Sequence, residues 1–225
     1  GARYIIDVPR ADAIRTVARS FRLDPETAFA HPGQPRPLIV EVGSGSGEAV
    51  LAHAAANPGV DHLAVEVWQT AIAKIVRQAA ERGLRNLRVV PADASQLLAT
   101  ALPVASVSEV WVFFPDPWRK ARHRKRRLVS DAFALEVARL LRDGGVWRLA
   151  TDWDDYAWQM RDVVEACELF ENPHAGERPD PADPQPARGG FAPRYDGRVV
   201  THFETRGIDA GRHAHDIVGV RRPRG

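Results

Sequence analysis

The chain has 225 residues but a single cysteine, Cys167, which excludes an internal disulfide and cannot form a metal site alone. Its eight histidines lack the spacing of metal ligands, so we expect no metal. No Ser-His-Asp or Cys-His arrangement of a nucleophilic enzyme is present. No apolar run approaches the roughly 20 residues of a membrane span, and no signal peptide is recognisable. We therefore expect a cytoplasmic protein that has no membrane partner.

Lysine is scarce, and the positive charge is concentrated in one segment. Only three of the 31 Lys and Arg residues are lysines, and the formal net charge is +2. Seven of the nine residues from Arg119 to Arg127 are nevertheless basic. They follow the apolar run Val110–Phe114 and the turn Pro115-Asp116-Pro117, whose prolines restrict the backbone of Asp116. This pattern predicts a buried strand, a fixed carboxylate and a surface for a polyanion. A strand followed by a solvated charged loop is the alternative.

Strand-like and helix-like segments alternate along most of the chain, which predicts an α/β fold with a Rossmann-like, mostly parallel sheet and helices on both faces. The predicted strands are Leu38–Val42, His62–Val67, Asn86–Val90, Glu109–Phe114, Val146–Ala150 and Asp216–Val220. The predicted helices are Glu48–Asn57, Gln69–Arg82, Ser95–Leu98, Leu128–Leu141, Asp154–Cys167 and one that begins at Thr201 and ends at Gly211. Residues 37–225 are expected to form one domain. Residues 1–36 are an N-terminal extension with helical spacing over 11–21, and residues 172–198 form a long, mobile loop.

An acidic residue stands at the carboxyl end of each of the first five predicted strands. These acids are Glu41, Glu66, Asp93, Asp116 and Asp152. Ligands of an open parallel sheet bind along that edge. The turn Gly43-Ser-Gly-Ser-Gly47 allows a ligand to approach the backbone, but its spacing is not the G-x-G-x-x-G of a dinucleotide site. Glu66 suits ribose hydroxyl groups or is a solvated strand end, and Asp93 suits an adenine amino group or caps the next helix.

The run Phe113-Phe-Pro-Asp-Pro-Trp-Arg-Lys-Ala-Arg-His-Arg-Lys-Arg-Arg127 resembles the signature of the bacterial tRNA (guanine-N7-)-methyltransferases. Further matches occur in family order, from about residue 38 to the end of the chain. They are Glu41-Val-Gly-Ser-Gly-Ser-Gly47, Glu66, Asp93-Ala94, Ala150-Thr-Asp-Trp153 and Thr201-His-Phe-Glu-Thr-Arg-Gly207. The resemblance implies a class I methyltransferase fold with a seven-stranded sheet. It also implies transfer of a methyl group from S-adenosylmethionine to N7 of guanosine 46 in the tRNA variable loop, with S-adenosylhomocysteine as product.

The resemblance also implies roles for individual residues. Those expected to contact S-adenosylmethionine are Glu41, Gly43, Gly45, Gly47, Glu66, Asp93 and Asp116, and Asp116 also stands at the centre of methyl transfer. Those expected to bind the substrate are Lys120, Asp152, Thr201, His202, Phe203 and Glu204. Those expected to bind tRNA are Arg122, Arg124, Lys125, Arg126 and Arg127. His202 stands where many relatives have a lysine, and Thr201 and Glu204 also fit a capping box at a helix start. The enzyme is expected to be a monomer or a homodimer.

Other functions remain open at this point. A class I methyltransferase acting on another RNA or on protein would keep the cofactor acids and use the basic run for a different partner. The glycine spacing disfavours an NAD-dependent oxidoreductase. A non-catalytic RNA-binding module would explain the arginines but leave the five strand-end acids without a function.

Overall fold

The computed structural model describes residues 2–9 and 19–225, which include a seven-stranded sheet in the order β3-β2-β1-β4-β5-β7-β6. The strands are β1 (Leu38–Val42), β2 (Asp61–Glu66), β3 (Leu87–Pro91), β4 (Val107–Phe113), β5 (Leu141–Thr151), β6 (Phe170–Glu171) and β7 (His215–Arg221). The strands β1 to β5 pair in parallel, whereas β7 pairs antiparallel with both β5 and β6. This confirms the predicted mostly parallel, seven-stranded sheet.

Helices cover both faces of the sheet, as predicted. They are α1 (Pro25–Ala28), α2 (Glu48–Ala56), α3 (Gln69–Glu81), α4 (Ala94–Thr100), α5 (Asp131–Leu140), α6 (Asp154–Ala166) and α7 (His202–Asp209). Apolar side chains of α4, α5 and α6 pack on one face, and those of α2 and α3 pack on the other. Because both faces are covered, every residue of β1 is buried. None of the described helices is long and apolar enough to cross a membrane.

Strand pairing brings several chain segments to one edge of the sheet. Phe113 at the end of β4 pairs with Ala150 near the end of β5, and Thr151 pairs with His215 at the start of β7. The carboxyl ends of β4 and β5 and the residues that precede β7 are therefore neighbours. Every strand-end acid named above thus lies at the same edge.

Several boundaries differ from the predictions. The helix α5 begins at Asp131 and not at Leu128, because the Ser130 hydroxyl group accepts a hydrogen bond from the Phe133 N–H and caps the helix. The basic residues before it form a 3-10 helix over Ala121–Arg126. The strand β5 begins at Leu141 and so includes the predicted turn at 143–145, and the short strand β6 was not predicted.

The loop 172–198 lacks regular helices, as expected, and some of its side chains are anchored to α6. Asp183 is buried and forms an ion pair with the buried Arg161 of α6, and the Trp158 indole donates a hydrogen bond to Asp180 (2.8 Å). The N-terminal extension also contacts the domain, since Leu23 and Phe29 are buried in its core. The helical spacing over 11–21 falls mostly on residues 10–18, which lie outside the described residues.

Candidate functional site

Four of the five strand-end acids line one cleft. Glu41, Glu66, Asp93 and Asp116 surround a volume of about 600 Å³ at the ends of β1 to β4. A cleft of that size is within the range of about 300–1,000 Å³ that is usual for small-molecule sites. Its remaining walls come from the glycine turn, three aromatic residues around Asp116 and the first turn of α7. The lining also includes side chains that the sequence did not predict there, among them Ser44, Glu48, Trp68, Phe114 and Trp118.

The turn between β1 and α2 needs glycine for a packing reason. Gly47 has a φ of 76° and caps α2, and a Cβ atom there would come 2.7 Å from Cγ1 of Ile75 on α3. Gly43 and Gly45 line the cleft, whereas Gly47 faces the helix layer behind it. Gly47 thus allows close packing of α2 against α3, and its expected contact with the cofactor stays a prediction.

Glu66 is held by the backbone. Its Oε2 accepts a hydrogen bond from the Gly45 N–H (2.8 Å), and its Oε1 accepts from Val67 (2.8 Å) and Trp68 (3.1 Å). A carboxylate offers about four acceptor positions, so about one remains for a ligand. Glu66 is only 5% exposed, which rules out the alternative of a solvated strand end. Glu66 therefore fixes the glycine turn and presents an oxygen to the cleft.

Glu41 has a buried oxygen that lacks a partner. The residue is 4% exposed, and its Oε2 makes no hydrogen bond within the described structure. Burial raises the pKa of this carboxyl group to about 8, with a smaller contribution from the negative Glu66, while the Ser44 hydroxyl opposes the rise. A buried acceptor without a donor is unfavourable in the empty cleft. A cationic or hydrogen-bond-donating ligand would satisfy it.

Asp93 caps a helix and also lines the cleft. Its Oδ1 accepts hydrogen bonds from the N–H (3.0 Å) and hydroxyl group (2.6 Å) of Ser95, so it caps α4. The side chain is nevertheless exposed and lines the cleft. Capping leaves Oδ2 available to a ligand.

Asp116 stands on a strained turn. The residues on either side of the Pro115-Asp116-Pro117 sequence, Phe114 and Trp118, have φ values of 52° and 43°. Such left-handed conformations cost about 1–3 kcal/mol each for non-glycine residues and are concentrated at functional sites. Asp116 is exposed in the cleft, and none of the described residues forms an ion pair or a hydrogen bond with its carboxylate. The turn therefore presents a free carboxylate.

The first turn of α7 supplies two of its four predicted residues to the cleft. Thr201 and Phe203 line it, and the Thr201 hydroxyl group also caps α7 by accepting from the Glu204 N–H (3.3 Å). His202 is directed elsewhere: its ring and its backbone N–H both bond Glu48 of α2, with a backbone distance of 3.1 Å. His202 thus links α7 to α2 beside the glycine turn.

Glu204 does not reach the cleft, which corrects its predicted place. The side chain is buried and pairs with Arg198 (2.7 Å) and Arg194 (3.1 Å). Arg198 is fully buried and also pairs with Asp216 of β7 (2.6 Å). The reciprocal half of the capping box is absent, because the carboxylate that would complete it is held by arginine. Glu204 therefore anchors α7 to the sheet.

Asp152 and Lys120 also lie outside the cleft lining. Asp152 accepts a hydrogen bond from Nε of Arg212 (3.0 Å) and packs so closely under Gly207 that a Cβ atom there would come 2.2 Å from its Oδ2. Lys120 is exposed at the start of the 3-10 helix. Neither residue lines the cleft.

The basic segment divides into an exposed part and a buried residue. Arg122, Arg124, Lys125 and Arg126 are exposed, and the Arg126 guanidinium group lies 5.0 Å from the Trp118 ring centroid. Arg127 differs. Its side chain is 2% exposed, and its guanidinium group donates hydrogen bonds to the Pro117 carbonyl group (2.7 Å) and to two residues of α6. These are Gln159 (2.9 Å) and Asp155 (2.6 Å). Arg127 therefore fastens the turn to α6, and these bonds and its burial disfavour the RNA contact expected from the sequence.

Solved structures share the fold. The 16S rRNA methyltransferase KamB superposes with a TM-score of 0.58 at 18% identity, covering 93% of this chain and 99% of that one. A SAM-dependent O-methyltransferase from Thermotoga maritima gives a TM-score of 0.52 at 17% identity, covering 89% of this chain and 65% of that one. At these identities the likeness establishes the class I methyltransferase fold alone.

The sequence relatives identify the family, which the shared fold does not. The family model described as "Putative methyltransferase" matches residues 35–216. A tRNA (guanine-N(7)-)-methyltransferase of Paenarthrobacter aurescens is 42% identical over 96% of this chain and 82% of its own length. One from Cutibacterium acnes is 44% identical over 95% of this chain and 72% of its own length. One from Methylococcus capsulatus is 39% identical over 95% of this chain and 88% of its own length. This chain therefore belongs to the tRNA (guanine-N(7)-)-methyltransferase family.

Proposed function

We propose that this chain transfers a methyl group from S-adenosylmethionine to N7 of a guanosine in tRNA, at position 46 of the variable loop. One observation carries the proposal. Four strand-end carboxylates line a single cleft, and none of them pairs with a cationic side chain of the described residues. A fifth lining carboxylate, Glu48, is bonded to His202, and an exposed basic turn adjoins the cleft. A cleft of this kind suits a positively charged nucleoside beside a polyanion.

The residues present fit S-adenosylmethionine. Glu41 has an unpartnered buried oxygen, Glu66 keeps a free acceptor position, and Asp93 keeps Oδ2. These acceptors match the amino and hydroxyl donors of the methionine, ribose and adenine groups. When bound, the donor supplies a methyl group on a sulfonium centre. Glu41, Glu66 and Asp93 orient it, and the glycine turn allows the close approach.

Asp116 acts on the guanine. Guanine N7 has an in-plane lone pair and carries no proton, so no base is needed to activate it. Asp116 accepts hydrogen bonds from the N1 and N2 donors of guanine and holds the base in position. Its negative charge also opposes the positive charge that develops on the ring during transfer. The strained backbone around Asp116 fixes the carboxylate before the substrate arrives.

The exposed basic turn binds the tRNA backbone. Arg122, Arg124, Lys125 and Arg126 present guanidinium and ammonium groups that neutralise phosphates, so affinity falls as salt concentration rises. Lys120 and Asp152 border the cleft where the target nucleotide enters. A protein that modifies tRNA acts where tRNA resides, so we also propose a cytoplasmic location.

The test is transfer of a labelled methyl group to unmodified tRNA, followed by mass spectrometry of the nucleosides and mapping of the modified position. We expect 7-methylguanosine at position 46. Labelling of a protein or of ribosomal RNA in place of tRNA would favour a different methyltransferase. Calorimetry with S-adenosylhomocysteine and with NAD, run in parallel, separates failure of the cofactor assignment from failure of the substrate assignment.

A further inference from the structure

Two arginines meet on one tryptophan outside the cleft. The Cζ atom of Arg119 lies 4.8 Å from the Trp153 ring centroid, and the Cζ atom of Arg212 lies 4.7 Å from the same centroid. Arg119 belongs to the turn after Asp116, whereas Arg212 precedes β7 and is 93 positions away along the chain. The fold therefore brings two separate cationic groups together on one aromatic ring.

The sheet places this cluster beside Asp116. The end of β4 pairs with the end of β5, and Trp153 follows β5 by two residues. The pairing of Thr151 with His215 sets the residues before β7 next to that point. Arg119, Trp153 and Arg212 thus lie at the sheet edge that carries the proposed methyl-transfer centre, but none of them lines the cleft.

The charges of this cluster are incompletely balanced. Within the described part of the chain, Arg119 has neither an ion pair nor a hydrogen bond from its guanidinium group, and Arg212 uses Nε alone, toward Asp152. The nearby Asp155 is engaged by Arg124 and Arg127, and Asp154 by His215. The two guanidinium groups are within about 10 Å of each other, comparable to the Debye length of about 8 Å. They repel each other, and an anion between them would relieve that repulsion.

We propose that Arg119, Trp153 and Arg212 form a second phosphate-binding surface, which takes the backbone of the tRNA strand next to the target guanosine. This proposal rests on the proposed function. Arginine suits the task because its planar guanidinium group donates two parallel hydrogen bonds to a phosphate. Stacking on Trp153 fixes both side chains in advance, so less conformational entropy is lost on binding. The exposed basic turn and this surface would then bind the strand together.

The experiment compares Arg119→Ala, Arg212→Ala and the double variant with Arg82→Ala. Arg82 is exposed, as Arg119 is, whereas Arg212 is half-buried. Arg82 caps the C-terminus of α3, the helix whose first turn adjoins the cleft, and so lies at the opposite edge of the sheet. The readouts are kcat and KM for tRNA, binding of tRNA across a salt series, and affinity for S-adenosylhomocysteine. Arg212→Lys serves as the charge-preserving variant.

Each alanine variant should raise the KM for tRNA about tenfold and lower the salt slope of binding by roughly 0.7–0.9, while affinity for S-adenosylhomocysteine stays unchanged. Arg212→Lys should keep the salt slope and lose part of the affinity, since an ammonium group cannot stack or bind a phosphate in the same way. Arg82→Ala should match the wild type.

Unchanged KM and unchanged salt slope in the double variant would overturn the proposal. An equal loss with Arg82→Ala would also overturn it, because the effect would then reflect overall charge. Absence of 7-methylguanosine with the wild-type protein counts against the proposed function, whereas the salt series on tRNA binding still decides whether this surface holds phosphate. Loss of affinity for S-adenosylhomocysteine in a variant would show damage to the cleft and contradict a role limited to RNA.

Discussion

The carboxylates that line the cleft and those that flank it toward β7 have different partners. Glu41, Glu66, Asp93 and Asp116 are satisfied by backbone or hydroxyl groups or left without a partner. Five of the flanking acids are paired with arginine: Asp152 with Arg212, Asp155 with Arg127, Asp183 with Arg161, Glu204 and Asp216 with Arg198. Both groups lie near the same edge of the sheet.

The difference shows what distinguishes a binding acid from a structural one in this protein. Position at a strand end places an acid near the ligand, but an arginine partner removes it from ligand binding by neutralising its charge. A buried acid paired with arginine stabilises the fold only while both partners remain. A cleft acid without a cationic partner remains available to a positively charged or hydrogen-bond-donating ligand. Four predictions test this contrast.

Glu204 should give the largest effect on stability. Glu204→Ala removes one partner of a buried arginine and should lower the free energy of unfolding by about 3 kcal/mol, because Arg198 keeps Asp216 as its remaining partner. Denaturant unfolding measures this loss. Asp209→Ala, an exposed residue at the end of α7, is the matched control and should change stability by less than about 0.5 kcal/mol. Equal stability of the two variants would contradict a structural role for Glu204.

Asp116 should show the opposite behaviour. Asp116→Asn should reduce kcat about 100-fold to 1,000-fold, since it removes a preorganised charge at the site of reaction. Its free energy of unfolding should not fall, because no cation depends on this carboxylate among the described residues. Labelled-methyl transfer and denaturant unfolding give the two values, with Asp209→Asn as control. Wild-type turnover would remove Asp116 from the centre of the reaction.

Glu41 should affect how the free energy of unfolding depends on pH. The folded pKa is about 8, against 4.5 for the ordinary carboxyl group, so between these values the folded chain holds a proton that the unfolded chain has lost. The contribution of Glu41 to stability is therefore full at low pH and declines as pH rises from 4.5 to 8. The stability of Glu41→Gln should lack this decline, because glutamine does not ionise. Its stability relative to the wild type should increase by roughly 4 kcal/mol between pH 5 and pH 9.

Unfolding curves of both proteins at pH 5, 7 and 9 measure the difference. A constant difference across that range would contradict an ionisable, desolvated Glu41. Binding of S-adenosylmethionine at pH 7 should also release a proton. Calorimetry in two buffers of different ionisation enthalpy detects that release.

The basic segment provides the smallest effects. Arg122→Ala and Lys125→Ala should each lower the salt slope of tRNA binding by roughly 0.7–0.9, since each exposed cation releases about one counterion. Arg127→Ala should leave the slope unchanged and lower the free energy of unfolding, because its guanidinium group holds Asp155 and Gln159. Filter binding over a salt series and denaturant unfolding distinguish the two behaviours. A slope change for Arg127 would place it back among the RNA contacts.

Sequence reasoning predicted the sheet and most of the cleft because those features depend on local chemistry. Apolar runs define strands β1 to β5. The turn after β1 needs glycine at Gly47, where φ is positive and there is no space for a Cβ atom. The acid at each strand end follows directly from the strand boundary. Parallel pairing then brings Glu41, Glu66 and Asp116 together without further information.

The residues whose surroundings the sequence did not predict depend on distant partners. Arg127 belongs to a basic run in sequence, but Asp155 and Gln159 lie 28 and 32 positions further along the chain. Glu204 fits a capping box, yet Arg198 is a stronger partner than a helix N–H group. The two residues of β6 are too few to give a periodic pattern. Only tertiary pairing distinguishes these residues from surface charges.

The central claim is tested most directly by comparing two buried glutamates, Glu41 and Glu204, in the same pair of measurements. Affinity for S-adenosylhomocysteine and free energy of unfolding are measured at pH 8 for Glu41→Gln and Glu204→Gln. We expect Glu41→Gln to lose affinity while its stability stays equal or rises, and Glu204→Gln to lose stability while its folded fraction keeps wild-type affinity. Loss of the same property in both variants would contradict the claim that unpaired acids bind the ligand and arginine-paired acids stabilise the fold.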